Sequence, residues 1–83
     1  MKLYLVNTFK NEGWGTRFDN NYDVLIEQVL FKNRYRALKH IKSYGYEMTK
    51  GLSGQDSCGN KATFYYVFNG GCIHWQLIEI EVE

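Results

Sequence analysis

One short helix signal lies between segments that are typical of β-strands, and it restricts the fold more than any other feature of the chain. Asn33 is a suitable N-cap, residues 34–44 follow with helical periodicity, and Gly45 occupies the position where a left-handed residue ends a helix. At 100° per residue, one face carries Ala37, Leu38, Ile41 and Tyr44. The opposite face carries Arg36, Lys39, His40 and Ser43. An amphipathic helix of this kind is predicted to pack on a sheet.

Strand-like segments flank this helix on both sides. Residues 2–9 are almost continuously apolar, which is typical of a strand buried on both faces near the centre of a sheet. Residues 22–31 and 63–68 are rich in β-branched and aromatic side chains. Asn-Gly-Gly at 69–71 is typical of a hairpin turn, so residues 72–82 are predicted to return antiparallel.

In the last of these segments, residues 72–82, the apolar side chains change from odd to even positions partway along the strand. Its first half places Ile73, Trp75 and Leu77 on one face. Its second half places Ile78, Ile80 and Val82 on the other, with Glu79, Glu81 and Glu83 expected to face solvent. Either a bulge lies near residues 77–78, or the first half is covered on the opposite side of the sheet.

The predicted fold is α+β: a small antiparallel sheet of about four strands in ββαββ order, with one amphipathic helix packed on one face. Residues 46–48 are expected to add a short strand at most, and residues 49–61, with three glycines, are predicted to form a long surface loop. A chain of 83 residues is too short for two cores, so residues 1–83 are predicted to form a single domain. Domains of this size are marginally stable, so either a homodimer or stabilisation by a partner is a reasonable expectation.

Charge and cysteine content narrow the functional classes. Ten basic and nine acidic residues give a net charge of +1. That balance argues against an acidic DNA mimic and against a general binder of phosphate backbones. The N-terminal segment turns polar at Asn7, too early for a signal peptide or membrane span. We therefore expect a cytoplasmic location with Cys58 and Cys72 reduced, a disulfide between them being the lesser alternative.

Cysteine and histidine residues offer two candidate chemical sites, each with a plainer structural explanation. Cys72 and His74 share a strand face and could ligate a metal with Cys58 or His40, but zinc sites favour other spacings. Cys58 or Cys72 with a histidine base and Asp56 could form a nucleophilic site. The plainer explanations are a small buried thiol beside a partly exposed imidazole, and turn chemistry at Asp56. No glycine pattern matches a nucleotide-binding motif, and neither a cofactor nor catalysis is predicted.

A basic segment at residues 32–42 is a stronger candidate for binding. It carries five cations and no acid: Lys32, Arg34, Arg36, Lys39 and Lys42. Arg36, Lys39 and His40 lie on the outer helix face, where they could engage phosphates or an acidic protein surface. A solvated helix face is the alternative, because the helix macrodipole favours cations near the C-terminus.

Aromatic residues provide two further candidates. Trp14, Arg17 and Phe18 lie within a polar segment and are residue types enriched at interface hot spots, although they could instead cover a sheet edge. A second group could resemble a base-stacking platform: Phe64, Tyr65, Tyr66 and Phe68. In a four-stranded sheet covered by one helix, alternate members of that group are expected to be core.

The opening strand at residues 1–6, the helix at 36–42 and a final hairpin with alternating Ile and Glu form a pattern that resembles small proteins of bacteriophages and mobile elements. Several anti-CRISPR proteins are similar in size and architecture, and the resemblance covers most of the chain. It implies a non-enzymatic inhibitor that binds a host defence nuclease, such as a Cas nuclease, or its guide complex.

Within that hypothesis, two groups of residues are expected to contact the partner. Trp14, Arg17 and Phe18 are expected to anchor it, and Arg36, Lys39 and His40 to supply charge complementarity. The alternative function is a small nucleic-acid-binding or regulatory domain that uses the basic helix.

Overall fold

The computed structural model describes residues 1–11, 23–68 and 72–82, and within these residues the chain forms one helix and five strands. The elements are β1 (Lys2–Asn11), β2 (Asp23–Phe31), α1 (Arg34–Lys42), β3 (Met48–Gln55), β4 (Lys61–Val67) and β5 (Ile73–Glu81). All neighbouring strands pair antiparallel in the order β2-β1-β5-β4-β3. The predicted α+β class is confirmed, but the prediction of about four strands in ββαββ order is wrong by one strand.

The additional strand is β3, in the segment predicted to be a long loop. Its sequence contains two glycines and no apolar alternation, so its β propensity is low. Pairing with β4 supplies the ladder hydrogen bonds that local propensity does not predict. A tight turn joins the two strands: the Asp56 carboxylate accepts hydrogen bonds from the backbone N–H of Cys58 at 3.0 Å and of Asn60 at 2.8 Å.

The helix begins where its N-cap predicts, but it ends at Lys42 with Ser43 as its C-cap, two residues before the predicted end at Tyr44. The Asn33 side chain accepts a hydrogen bond from the backbone N–H of Arg36 at 3.0 Å, which satisfies one of the free N–H groups of the first turn. Gly45, just beyond the helix, has φ of +84°, in the region that favours glycine. Ala37 and Ile41 are fully buried against the sheet, and this confirms the predicted apolar face.

The core lies between α1 and one face of the sheet. Its fully buried members are Val6, Ala37, Ile41, Trp75 and Leu77. Trp75 meets the Tyr44 ring edge-on, with ring centroids 5.3 Å apart. A large aromatic side chain buries on the order of 150–250 Å², so Trp75 gives a short chain much of its core.

Strand β5 pairs with β1 without a register shift, from Lys2↔Glu81 to Lys10↔Ile73. The bulge alternative is therefore wrong, and the two apolar sets of β5 lie on opposite faces of the sheet. Glu79 was expected to face solvent, but its side chain is only 14% exposed because it lies on the helix side between two lysines.

Both edge strands of the sheet carry a bulge. In β2, Glu27 pairs with Thr8 and Leu25 with Phe9, so Ile26 is an extra residue. In β3, the register shifts between Lys50 and Ser53. Bulges bend an edge strand and discourage it from pairing with another chain.

Candidate functional site

The outer surface of α1 forms the candidate site, which we call the helix patch. It is a concave surface of about 510 Å³ lined by Phe31, Tyr35, Arg36, Lys39, His40 and Ser43. The structure therefore brings together the three residues predicted from the helical periodicity, Arg36, Lys39 and His40. Their spacing of three and four residues places them on one side of the helix, opposite the buried Ala37 and Ile41.

Aromatic rings give the helix patch its shape. Phe31, at the end of β2, lies against the His40 ring with ring centroids 5.3 Å apart. Tyr35 is 71% exposed, so most of its ring is available to a partner. Sequence reasoning missed both rings, because Phe31 belongs to the preceding strand and Tyr35 lies at the margin of the polar face.

The imidazole of His40 contacts the carboxylate of Glu27 within the same chain. Its Nε2 lies 2.6 Å from Oε1 of Glu27, and the Tyr44 hydroxyl donates a hydrogen bond of 2.7 Å to the same oxygen. The hydrogen bonds from Tyr44 and then from His40 lower the pKa of Glu27. Burial, followed by the hydrogen bond to Glu27, raises the pKa of Tyr44. The ionised Glu27 therefore compensates any charge on His40, and the cationic character of the helix patch comes from Arg36 and Lys39.

The two remaining cations of the helix patch are not compensated. Arg36 and Lys39 form no ion pair with any residue that the structure describes. By contrast, Lys2 and Lys61 lie 3.9 Å and 3.7 Å from the carboxylate of Glu79. Free cations on a fixed helix can attract and orient an anionic partner.

The second predicted group, Trp14, Arg17 and Phe18, lies outside the described residues. Its role as a set of anchors stays a prediction from the sequence.

The candidate chemical sites based on cysteine have little support in the described parts of the chain. Cys58 and Cys72 are both free and exposed, so the explanation by a buried thiol is wrong. His74 lies 3.6 Å from Oδ2 of Asp23, and no hydrogen bond joins it to Cys72 among the described residues. Across residues 1–11, 23–68 and 72–82, no group of three or more His, Cys, Asp or Glu side chains could hold a metal ion.

Aromatic side chains also line the sheet face opposite α1. We call Phe9, His74, Phe64 and Tyr66 the aromatic row. His74 stacks with Phe9 at 5.2 Å and with Tyr66 at 5.7 Å between ring centroids, with interplanar angles of 16° and 25°. At these separations each ring covers part of the face of its neighbour. The row therefore packs against itself, which weakens the case for a base-stacking platform. Tyr65 packs against the core on the helix side.

No helix in the described residues is long and apolar enough to cross a membrane. No protein-family model, curated protein or solved structure matches this chain.

Proposed function

We propose that the protein is a small non-enzymatic inhibitor that binds a host defence protein, a Cas nuclease or its guide complex, through the helix patch. The observation that supports this proposal is the pair of uncompensated cations, Arg36 and Lys39, beside the exposed ring of Tyr35. Tyrosine and arginine are enriched at the centres of protein interfaces. Free cations accelerate association with an acidic surface. Binding alone is sufficient to block a site or to hold a mobile domain.

The charge balance favours a protein partner over nucleic acid. Proteins whose affinity for a phosphate backbone depends steeply on salt can neutralise ~6–10 phosphates. The basic segment at residues 32–42 carries five cations, two of them in the helix patch, and the whole chain has a net charge of +1. A standard interface covers ~800 Å² of each partner. The surface of this chain is 5963 Å², so one such interface would occupy the helix and its surroundings.

Charge reversal tests the site. The double change Arg36→Glu and Lys39→Glu is expected to weaken partner binding at least tenfold, ~1.4 kcal/mol, because it replaces attraction by repulsion. A matched control is Lys10→Glu with Lys50→Glu, which changes the net charge equally at exposed strand positions away from the helix patch. Equal loss in both double variants would show that only net charge matters, and would contradict the proposal.

Partner identity is tested by capture from bacterial lysate with and without nuclease treatment, followed by mass spectrometry. A single stoichiometric protein that survives nuclease treatment supports the inhibitor proposal and identifies its target. Failure to capture any partner in either sample would contradict it.

The second candidate function is nucleic-acid binding through α1, and the same uncompensated cations favour it. If this candidate is right, the captured partner should no longer be recovered from the nuclease-treated lysate. This candidate also requires the logarithm of the affinity to fall with the logarithm of salt, by ~0.9 for each phosphate neutralised. Arg36→Glu with Lys39→Glu would then reduce that slope, whereas binding insensitive to both changes excludes this candidate.

Trp14→Ala tests the anchors predicted from the sequence. We expect weaker inhibition with an unchanged unfolding midpoint, since the residue is assigned to the interface. Unchanged inhibition would remove Trp14 from the proposed binding residues.

A further inference from the structure

The sheet face opposite α1, which we call the open face, carries almost no charge. Cross-strand partners share a face, so the register assigns each charged strand residue to one side. Those on the helix side are Lys2, Lys10, Glu27, Lys50, Lys61, Glu79 and Glu81. Among the described strand residues, Asp23 is the single charged residue on the open face, and it lies 3.6 Å from His74. Antiparallel sheets with one solvated face usually show the reverse, with polar residues on that face.

Apolar side chains occupy most of the open-face positions of the strands. The open face carries Leu3, Leu5, Phe9, Leu25, Leu30, Phe64, Tyr66, Ile78 and Ile80. Leu25, Leu30 and Tyr66 are 48%, 52% and 42% exposed, Ile78 is buried, and the other five are half-buried. No described helix or strand covers them, because α1 packs on the other face. Exposed apolar side chains grouped on one face of a sheet are typical of an interaction site.

A ladder of three amides crosses the middle of the open face. Gln28 donates to Oδ1 of Asn7 at 2.7 Å, and Asn7 donates to Oε1 of Gln76 at 3.2 Å. Asn7 itself is buried. Because the amides satisfy one another, excluding water from this part of the face leaves few polar groups without a partner. The ladder therefore suits a surface that becomes buried.

We propose that the open face is the contact surface of a homodimer, in which two copies of this chain pack sheet against sheet. A surface with almost no charge does not repel its own copy, and it offers no cation to nucleic acid or to a lipid headgroup. The bulges in β2 and β3 disfavour the other symmetric arrangement, pairing through the sheet edges. Face-to-face packing of two sheets is a common way to bury such surfaces.

The size of the open face is adequate for this assembly. Five strands spaced ~4.8 Å apart, with about eight residues each at ~3.3 Å, give a face of roughly 24 by 26 Å. Two such faces bury ~1,200 Å² in total, the lower limit for a stable interface. The helix patches would lie on the two outer surfaces of the dimer, so partner binding and dimerisation are separate properties.

Sedimentation equilibrium of the purified protein tests the dimer. In the micromolar range we expect twice the mass of one chain, and a monomer throughout that range would overturn the proposal. Leu25→Glu and Leu30→Glu, made separately, place a charge on the open face at half-exposed positions that the monomer tolerates. Each is expected to give a folded monomer that still binds the partner. Tyr35→Glu is the matched control on the opposite side and is expected to remain dimeric.

A dimer that persists in both leucine variants would overturn the assignment of the surface. Isotope-filtered NMR of a mixed labelled and unlabelled wild-type sample requires no variant. Contacts between copies at the Leu5 and Ile80 methyl groups are expected, and their absence in a dimer would also overturn the proposal.

Discussion

The two faces of the sheet differ in how their apolar side chains are protected. On the helix side, Trp75 and Leu77 are fully covered, and Glu79 lies between two lysines at the margin. On the open face, the contacts of the aromatic row and of the amide ladder among the described residues are with neighbouring side chains of the sheet. Among the described residues, five of the seven buried hydrophobic side chains lie on the helix side, and Ala62 and Ile78 lie on the open face, so the stability of a single chain comes mainly from the helix side. The open face can contribute its full apolar area only when another surface covers it.

Removing a large ring from each face gives the largest expected effect. Trp75→Ala should cost ~3–5 kcal/mol of unfolding free energy, because it leaves a cavity between α1 and the sheet. A domain this small would then be largely unfolded. Phe64→Ala removes a partly exposed ring and should cost less than half as much. Urea denaturation at low protein concentration measures both, and equal losses would contradict the assignment of the core to the helix side.

Two glycines of β3, Gly51 and Gly54, test whether the Tyr66 ring of the aromatic row lies over this strand. A Cβ built on Gly51 would overlap the Tyr66 ring, whereas a Cβ on Gly54 would meet no atom within 4 Å. Gly51→Ala should therefore cost ~1–3 kcal/mol through overpacking, and Gly54→Ala should be nearly neutral. Thermal or urea unfolding gives the comparison. In a Tyr66→Ala background, the penalty of Gly51→Ala should disappear; its persistence would show that the ring does not lie over the glycine.

The elements that sequence reasoning predicted well depend on local signals. Asn33 acts within the first turn, so capping rules predict the start of α1. Gly45 has the expected positive φ, and the predicted end lies two residues beyond the observed Lys42. The convergence of Arg36 and Lys39 follows from helical periodicity alone. These local rules predict the position of the helix and most of the residues that form the helix patch.

The elements that sequence reasoning missed depend on contacts between distant residues. Strand β3 forms because β4 pairs with it, although its own sequence is typical of a loop. Glu27 lies 13 positions before His40, and Phe9 lies far from His74, so neither contact has a local pattern. Side chains alternate between the two faces along β1 and β5, so this alternation places Phe9 and His74 on one face. It predicts their contact only when the register of the two strands is known.

The helix cap should give a moderate effect confined to the helix side. Asn33→Ala removes the acceptor for the Arg36 backbone N–H and should cost ~1 kcal/mol. Asn33→Asp keeps an acceptor and adds a negative charge beside the positive end of the helix dipole, where the first turn contains no acid. It should match or exceed the wild type in urea unfolding. If Asn33→Ala and Asn33→Asp destabilise the protein equally, the lost capping hydrogen bond is not the cause of the destabilisation.

Glu27 should give the smallest effect, and its diagnostic feature is a dependence on pH. Hydrogen bonds from Tyr44 and His40 lower its pKa in the folded chain below the ordinary value of 4.5. The ionised form therefore stabilises the fold above that value, and this contribution is lost as the pH falls through the lowered pKa. Glu27→Gln should remove it, so the stability difference between wild type and variant should shrink as the pH drops below 4.5. Tyr44→Phe removes the larger of the two hydrogen-bond effects and should change the profile in the same direction. Parallel profiles in urea unfolding across this range would show that Glu27 does not link β2 to α1 through its charge.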